Sequence, residues 1–184
     1  MPSVRLTPRP NDCWLEDIED IGSDTISSFW LFYGGISATI QHMVSHIVVD
    51  TNIFIGACLG EGAAHHVIAA CLRGRCQPLM GAALFAEYED VLERTEPFKT
   101  CRLSSVERDE LLDIFLATCA WTRIYFAWRP NLPDEADNHL VELAVAGGAR
   151  FIVTRNLRDV ARMELNFPEL RVVSPEDFLK ELAS

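Results

Sequence analysis

Four places along the chain offer hard oxygen donors where chemistry could use them. Asp50-Thr51-Asn52 directly follows the apolar run Ile47-Val48-Val49. A carboxylate at the end of a buried strand is costly unless it is paired, hydrogen-bonded or neutralised by a metal. Asp50 equally suits the cap of a following turn, aided by Thr51 and Asn52. Glu87 lies three residues after Leu84 and four before Val91. It therefore borders the helical apolar stripe Leu84, Tyr88, Val91 and Leu92, whereas Glu89, Asp90 and Glu93 are placed for solvent. In Pro133-Asp134-Glu135-Ala136-Asp137, Asp134 suits a helix N-cap and Asp137 the first turn. Asp137 also precedes Leu140, Val141 and Ala144 at helical spacing, which puts it on the inward face. One acid suffices for capping, so the other is available to a metal. The fourth place is Thr154-Arg155-Asn156-Leu157-Arg158-Asp159, directly after Phe151–Val153.

Oxygen ligands without histidine or cysteine are what Mg2+ or Mn2+ prefers. Clustered carboxylates repel one another without a cation. With one or two ions bound they can hold a phosphodiester, generate a hydroxide nucleophile and stabilise the leaving oxygen. Arg155 and Arg158, with Arg162, stand at i, i+3 and i+7, so they can share a helical face. The first two suit phosphate contact, and Arg162 reads as a solvated basic side chain. His42, His46, His65, His66 and His139 show no ligand spacing and read as structural or solvent-exposed. Trp14, Trp30, Trp121 and Trp128 can stack on bases, but core or interface packing is the simpler reading. The six cysteines form no C-x-x-C pair and read as free thiols in a reducing cytosol.

The elements that must position these groups alternate from His46 onward. Strands are expected at His46–Val49, Gln77–Gly81, Arg123–Phe126, Phe151–Val153 and Arg171–Val173. Helices are expected at Ala63–Arg73, Ala82–Arg94, Ser105–Cys119, Asp137–Gly147 and Pro175–Leu182. The last has Ser174 as N-cap, Pro175 at the first helical position and Asp177 completing a capping box. Such alternation implies an α/β fold with a mainly parallel five-stranded sheet, in which function collects at the carboxyl ends of the strands. No G-x-G-x-x-G follows any strand and no phosphate-binding G-x-x-x-x-G-K-[ST] exists, so dinucleotide and P-loop chemistry lack their central feature.

Residues 1–42 show no clean period and form an N-terminal extension, leaving 43–184 as one domain. Met43-Val44-Ser45 would make a natural domain start. Ile26–Ile40 is broken by Ser27, Ser28, Gly34, Gly35 and Ser37 and falls short of the roughly 20 apolar residues of a spanning helix. With no secretory signal visible, the chain reads as soluble and cytoplasmic, with no membrane partner. The formal net charge of −11 opposes indiscriminate nucleic-acid binding by the whole surface. A local arginine patch and bound cations can reverse the sign where it matters.

Four segments make the sequence familiar: IVVDTNIFIGA, LFAEYEDVL, LPDEADNHLVELAVAGGARFIVTRN with LRDV after it, and VVSPEDFL. In this order they resemble the PIN-domain family, especially its bacterial toxin-like branch of VapC-type ribonucleases. The resemblance spans about His46 to Leu182 and implies a three-layer α/β/α fold. It implies that Asp50, Glu87 and Asp137 are the family's first three acids, with Asp134 an additional one. Thr51 and Asn52 correspond to the polar residues that orient the first acid, and Thr154 to the strand-end threonine. The family's fourth acid, two residues after that threonine, is Asn156 here, with Asp159 the acid placed to take over. Asparagine can coordinate through its carbonyl oxygen but is neutral, so one-metal and two-metal sites both stay open.

The resemblance implies a metal-dependent endoribonuclease for single-stranded RNA, the toxin of a toxin–antitoxin pair. Its expected partners are RNA, an antitoxin protein and a second copy of the chain. Two other readings compete. A haloacid-dehalogenase-type phosphatase also starts from a strand-end aspartate, but wants a second aspartate where Asn52 stands. A PIN-like module without catalysis would bind RNA or protein, and Asn156 keeps that reading open.

Overall fold

Five short strands form an all-parallel sheet in the order β3-β2-β1-β4-β5: β1 (His46–Val49), β2 (Gln77–Met80), β3 (Ala120–Trp121), β4 (Phe151–Val153) and β5 (Arg171–Val173). The structure, a computed structural model, describes residues 44–60, 62–125, 137–160 and 167–184. All described residues lie in one compact unit, Val44–Ser184. Among them, no single helix is long and apolar enough to cross a membrane.

The central strands are apolar on both faces, as a parallel sheet covered by helices requires. Ile47, Val48 and Val49 of β1 and Ile152 and Val153 of β4 are all buried. Chain order runs outward from β1 to β3, then returns to β4 on the other side of β1. The crevice beyond the carboxyl ends of β1 and β4 is therefore the switch point of the sheet. Val49 pairs with Val153, so the next residues, Asp50 and Thr154, emerge side by side there.

The helices are α1 (Thr51–Cys58), α2 (Gly62–Leu72), α3 (Ala82–Glu93), α4 (Ser105–Thr118), α5 (Asn138–Gly147), α6 (Leu157–Val160) and α7 (Pro175–Leu182), with a 3-10 turn at Glu96–Phe98. α5 packs on β1, β2 and β4, α4 on β2, and α7 on β4. Its closing glycines set how α5 lies. A Cβ on Gly147 would collide with Leu79, and Gly148 ends the helix with φ 62 in the left-handed region. His46 Nδ1 lies 2.9 Å from Gly147 O, which ties this end of α5 to the start of β1. Ten residues rise about 15 Å, so the other end of α5 arrives near the strand ends.

Three expectations need correction. β3 is Ala120–Trp121, not Arg123–Phe126. Its partner β2 ends at Met80, because Gly81 becomes the N-cap of α3, so the ladder stops after Thr122 N–H donates to Met80 O. Phe126 lies outside the described residues. α1 was not expected: Asp50 and Thr51 read as a turn, yet they start a helix buried along most of its length. At α7, Ser174 accepts from the Asp177 N–H, but the Asp177 carboxylate returns to the Ser174 hydroxyl, not to its backbone. Aspartate is one methylene shorter than the glutamate that completes the capping box of Ser104 and Glu107 on α4.

Candidate active site

Asp50 carries both roles its position suggested. It is the N-cap of α1, accepting from the Asn52 N–H at 3.3 Å, and it is a buried carboxylate, 8% exposed. Thr154 Oγ1 donates to its Oδ2 at 2.5 Å and Asn52 Nδ2 donates to the same oxygen at 2.6 Å. Asn52 Nδ2 also donates to Thr154 Oγ1 at 3.1 Å, closing a triangle across β1 and β4. Burial pushes the Asp50 carboxyl above its ordinary range, against the hydrogen bonds from Thr154 and Asn52, and the Glu87 charge adds to the rise. No ion pair to Asp50 exists among the described residues.

Glu87 comes from α3, which is anchored by the buried Tyr88 beside it. Tyr88 packs edge-on to Phe54 and stacks on Phe115, and its hydroxyl donates to Val49 O at 3.0 Å. That staple holds α3 against the strand end preceding Asp50. Thr51 Oγ1 then lies 2.6 Å from Glu87 Oε1 and 3.3 Å from Asp50 Oδ1, so one hydroxyl links the two acids. The other Glu87 oxygen lies 2.9 Å from His139 Nε2. The His139 imidazole beside it holds Glu87 below the usual carboxylate range, against partial burial, and the Thr51 hydrogen bond helps.

Asp137 occupies the N-cap position of α5 and makes no capping hydrogen bond with its side chain. Asn156 Nδ2 points at its carboxylate at 3.5 Å, while the Asn156 N–H donates to Thr154 Oγ1 at 2.9 Å. A continuous set of contacts thus runs Glu87–Thr51–Asp50–Thr154–Asn156–Asp137. Asn156 takes part through its NH2 group; an aspartate there would meet Asp137 as a like charge.

The remaining expected residues are placed as follows. Arg155 is exposed, and its N–H donates to Asn52 Oδ1 at 3.2 Å. Arg158 is exposed on α6. Arg155 precedes that four-residue helix, so the two arginines do not share one helical face. Asp159 falls on the α6 backbone, with its side chain outside the described residues; Asp134 and Arg162 lie outside them too.

Two residues read differently in the structure than in the sequence. His139 is not a remote structural histidine but the neighbour of Glu87; the contact joins positions 52 apart, so no local spacing announces it. Trp121 is not a core residue but 58% exposed, with its ring edge-on to Phe85. Asn52 donates to Asp50, which is the opposite of the second acid a phosphatase of the haloacid-dehalogenase type would need there.

A sequence profile described as PIN domain matches residues 46–158, more than half of the chain. The chain belongs to the PIN domain family. PIN domains are generally nucleases, and PIN nucleases generally use divalent metals. Among solved structures, the VapBC2 complex from Rickettsia felis bound to a DNA fragment from their promoter matches with a TM-score of 0.47 and 15% identity. That match covers 70% of this chain and 98% of that one. No curated protein matches the chain.

The PIN domain's acids suit such an ion in kind: all are oxygen donors, and the buried Asp50 carries charge that no described cation offsets. As the side chains lie, no three described His, Cys, Asp or Glu residues close around one point. Thr51, His139 and Asn156 instead take up Glu87 and Asp137.

Proposed function

We propose that this PIN domain is a divalent-metal-dependent endoribonuclease acting on single-stranded RNA. The observation that carries the reading is Asp50: a buried carboxylate at the switch point, with raised pKa, hydrogen-bonded through threonines toward Glu87 and Asp137.

Asp50, Glu87 and Asp137 would hold Mg2+ or Mn2+, with Asp134 and Asp159 as further candidate ligands. A bound ion supplies Lewis acidity and a water that ionises near neutral pH. The chain's own groups do the positioning. Thr154 and Asn52 hold one Asp50 oxygen in place, and Thr51 joins Asp50 to Glu87. His139 and Thr51 keep Glu87 ionised, and Asn156 restrains Asp137. Arg155 and Arg158, both exposed beyond β4, are suited to the phosphates of the strand.

The toxin role follows from the resemblance of the four sequence motifs to the VapC-type branch. On that reading the chain acts in the cytoplasm as a homodimer, and its partner is a small DNA-binding antitoxin encoded beside it. A catalytically silent module is the second reading, and the neutral Asn156 is the feature that favours it.

Purified full chain incubated with single-stranded RNA decides between them. Cleavage with Mg2+ or Mn2+, its loss in EDTA, and its loss in a folded Asp50→Ala variant are expected. Intact RNA across varied substrates and both metals would leave the silent module.

A further inference from the structure

β3 is the edge strand of the sheet, and its carboxyl end carries aromatic and cationic side chains in alternation. Trp121 is 58% exposed and Tyr125 78%. Arg123 between them is exposed too, whereas Thr122 and Ile124 turn partly inward. Other aromatics, such as Phe54, Tyr88, Phe115, Phe151 and Phe178, are buried. The Trp121 ring stands 5.5 Å from Phe85 at 62°, so it is braced in place by α3, the helix that bears Glu87. No ion pair to Arg123 occurs among the described residues.

The position of this patch gives it a use. Trp121 pairs with Met80 of β2, β2 pairs with β1, and all three strands run the same way. The patch therefore stands in the same row of strand ends as Asp50. Two strand spacings, about 10 Å, separate them. Arg155 and Arg158 follow β4, on the opposite side of β1. A strand laid across these ends would meet aromatics and Arg123, then Asp50, then Arg155 and Arg158. Because the chain carries a net charge of −11, a phosphate strand needs such a local path.

We propose that Trp121, Arg123 and Tyr125 form a base-stacking subsite for single-stranded RNA beside the Asp50 site, an inference that rests on the nuclease reading. Aromatic faces stack on any base, and a cation between them contacts the backbone. A duplex keeps its base faces stacked inside, so the subsite selects single strands. The binding it provides is tolerant of sequence.

The test is binding of a fluorescein-labelled single-stranded RNA oligomer to the full chain in EDTA, read by anisotropy. Trp121→Ala and Tyr125→Ala are each expected to weaken binding about ten-fold or more. Trp121→Phe, which keeps a stacking face, restores most of it. Arg123→Ala weakens binding and flattens its salt dependence. Mn2+ affinity stays unchanged in all four. The subsite is overturned if wild type binds no RNA, or if Trp121→Ala and Tyr125→Ala bind as wild type does. It is equally overturned if Trp121→Ala changes only the association state in sedimentation, which would assign the patch to contact between copies. A chain that binds through Trp121 yet leaves RNA intact with both Mg2+ and Mn2+ upholds the subsite and removes the nuclease reading. A chain that cleaves, and binds RNA without using Trp121 or Tyr125, does the reverse.

Discussion

The Thr51 hydroxyl sits between the carboxylates of Asp50 and Glu87, 3.3 Å from one and 2.6 Å from the other. It has one proton to give, and the shorter contact places that proton toward Glu87. Two acids, one at the N-cap of α1 and one on α3, are thereby held in a fixed relation before any cation arrives. Thr51→Val keeps the shape and removes the donor. Mn2+ affinity measured by calorimetry is expected to fall about 10- to 100-fold, as for other groups that orient a ligand. Thr51→Ser keeps the hydroxyl and should stay near wild type.

Asp50 sets a pH dependence of known sign. Burial raises its carboxyl pKa in the folded chain. The folded state thus binds this proton more tightly than the unfolded state does. Metal-free stability is then lost as pH rises from about 3.9, the ordinary aspartate value, through the raised one. Asp50→Asn removes that loss while its oxygen still accepts from Thr154 and Asn52. In EDTA near pH 7.5 the variant should melt above wild type, with a smaller gap near pH 4. Saturating Mn2+ should reverse the order. A variant melting below wild type in EDTA at pH 7.5 would contradict the assignment.

Glu87 behaves oppositely. His139 holds it below the ordinary range, so its contribution to stability is present above about 4.3 and lost as pH falls through the lowered value. His139→Phe should move the Glu87 carboxyl titration upward, as read by carbon NMR. An unmoved titration would remove His139 from the site.

Tyr88 links packing to the site. Its hydroxyl caps Val49 O, and burial pushes its pKa well above the ordinary tyrosine value. Tyr88→Phe leaves that carbonyl without this donor, at a cost of about 1–3 kcal/mol. Each kcal/mol corresponds to roughly 2–4 °C in Tm at this chain length. Ultraviolet titration should show Tyr88 ionising only as the chain unfolds.

What was legible in the sequence follows from which interactions are local. β1 and β4 stand where the apolar runs put them, because buried parallel strands have no polar face to disguise them, and the edge strand β5 stands where Val172-Val173 put it. β3 shifted because its limits belong to β2, a partner about 40 residues earlier. α1 stayed hidden because its N-cap, Asp50, followed by Thr51 and Asn52, equally suits the start of a turn. Asp50, Glu87 and Asp137, the proposed ligands, are candidates from spacing and motif resemblance. His139 is not, because nothing in the linear order joins α5 to α3. The exposure of Trp121 depends on which strand forms the edge, which is a property of topology alone.

The central claim is that Asp50 anchors a divalent cation. Mn2+ titration of the full chain, followed by electron paramagnetic resonance with Asp50→Asn as the paired sample, tests it most directly. Saturable Mn2+ binding by wild type, abolished in a folded Asp50→Asn chain, is the expected result. Equal binding by both chains, or none by wild type, would contradict it.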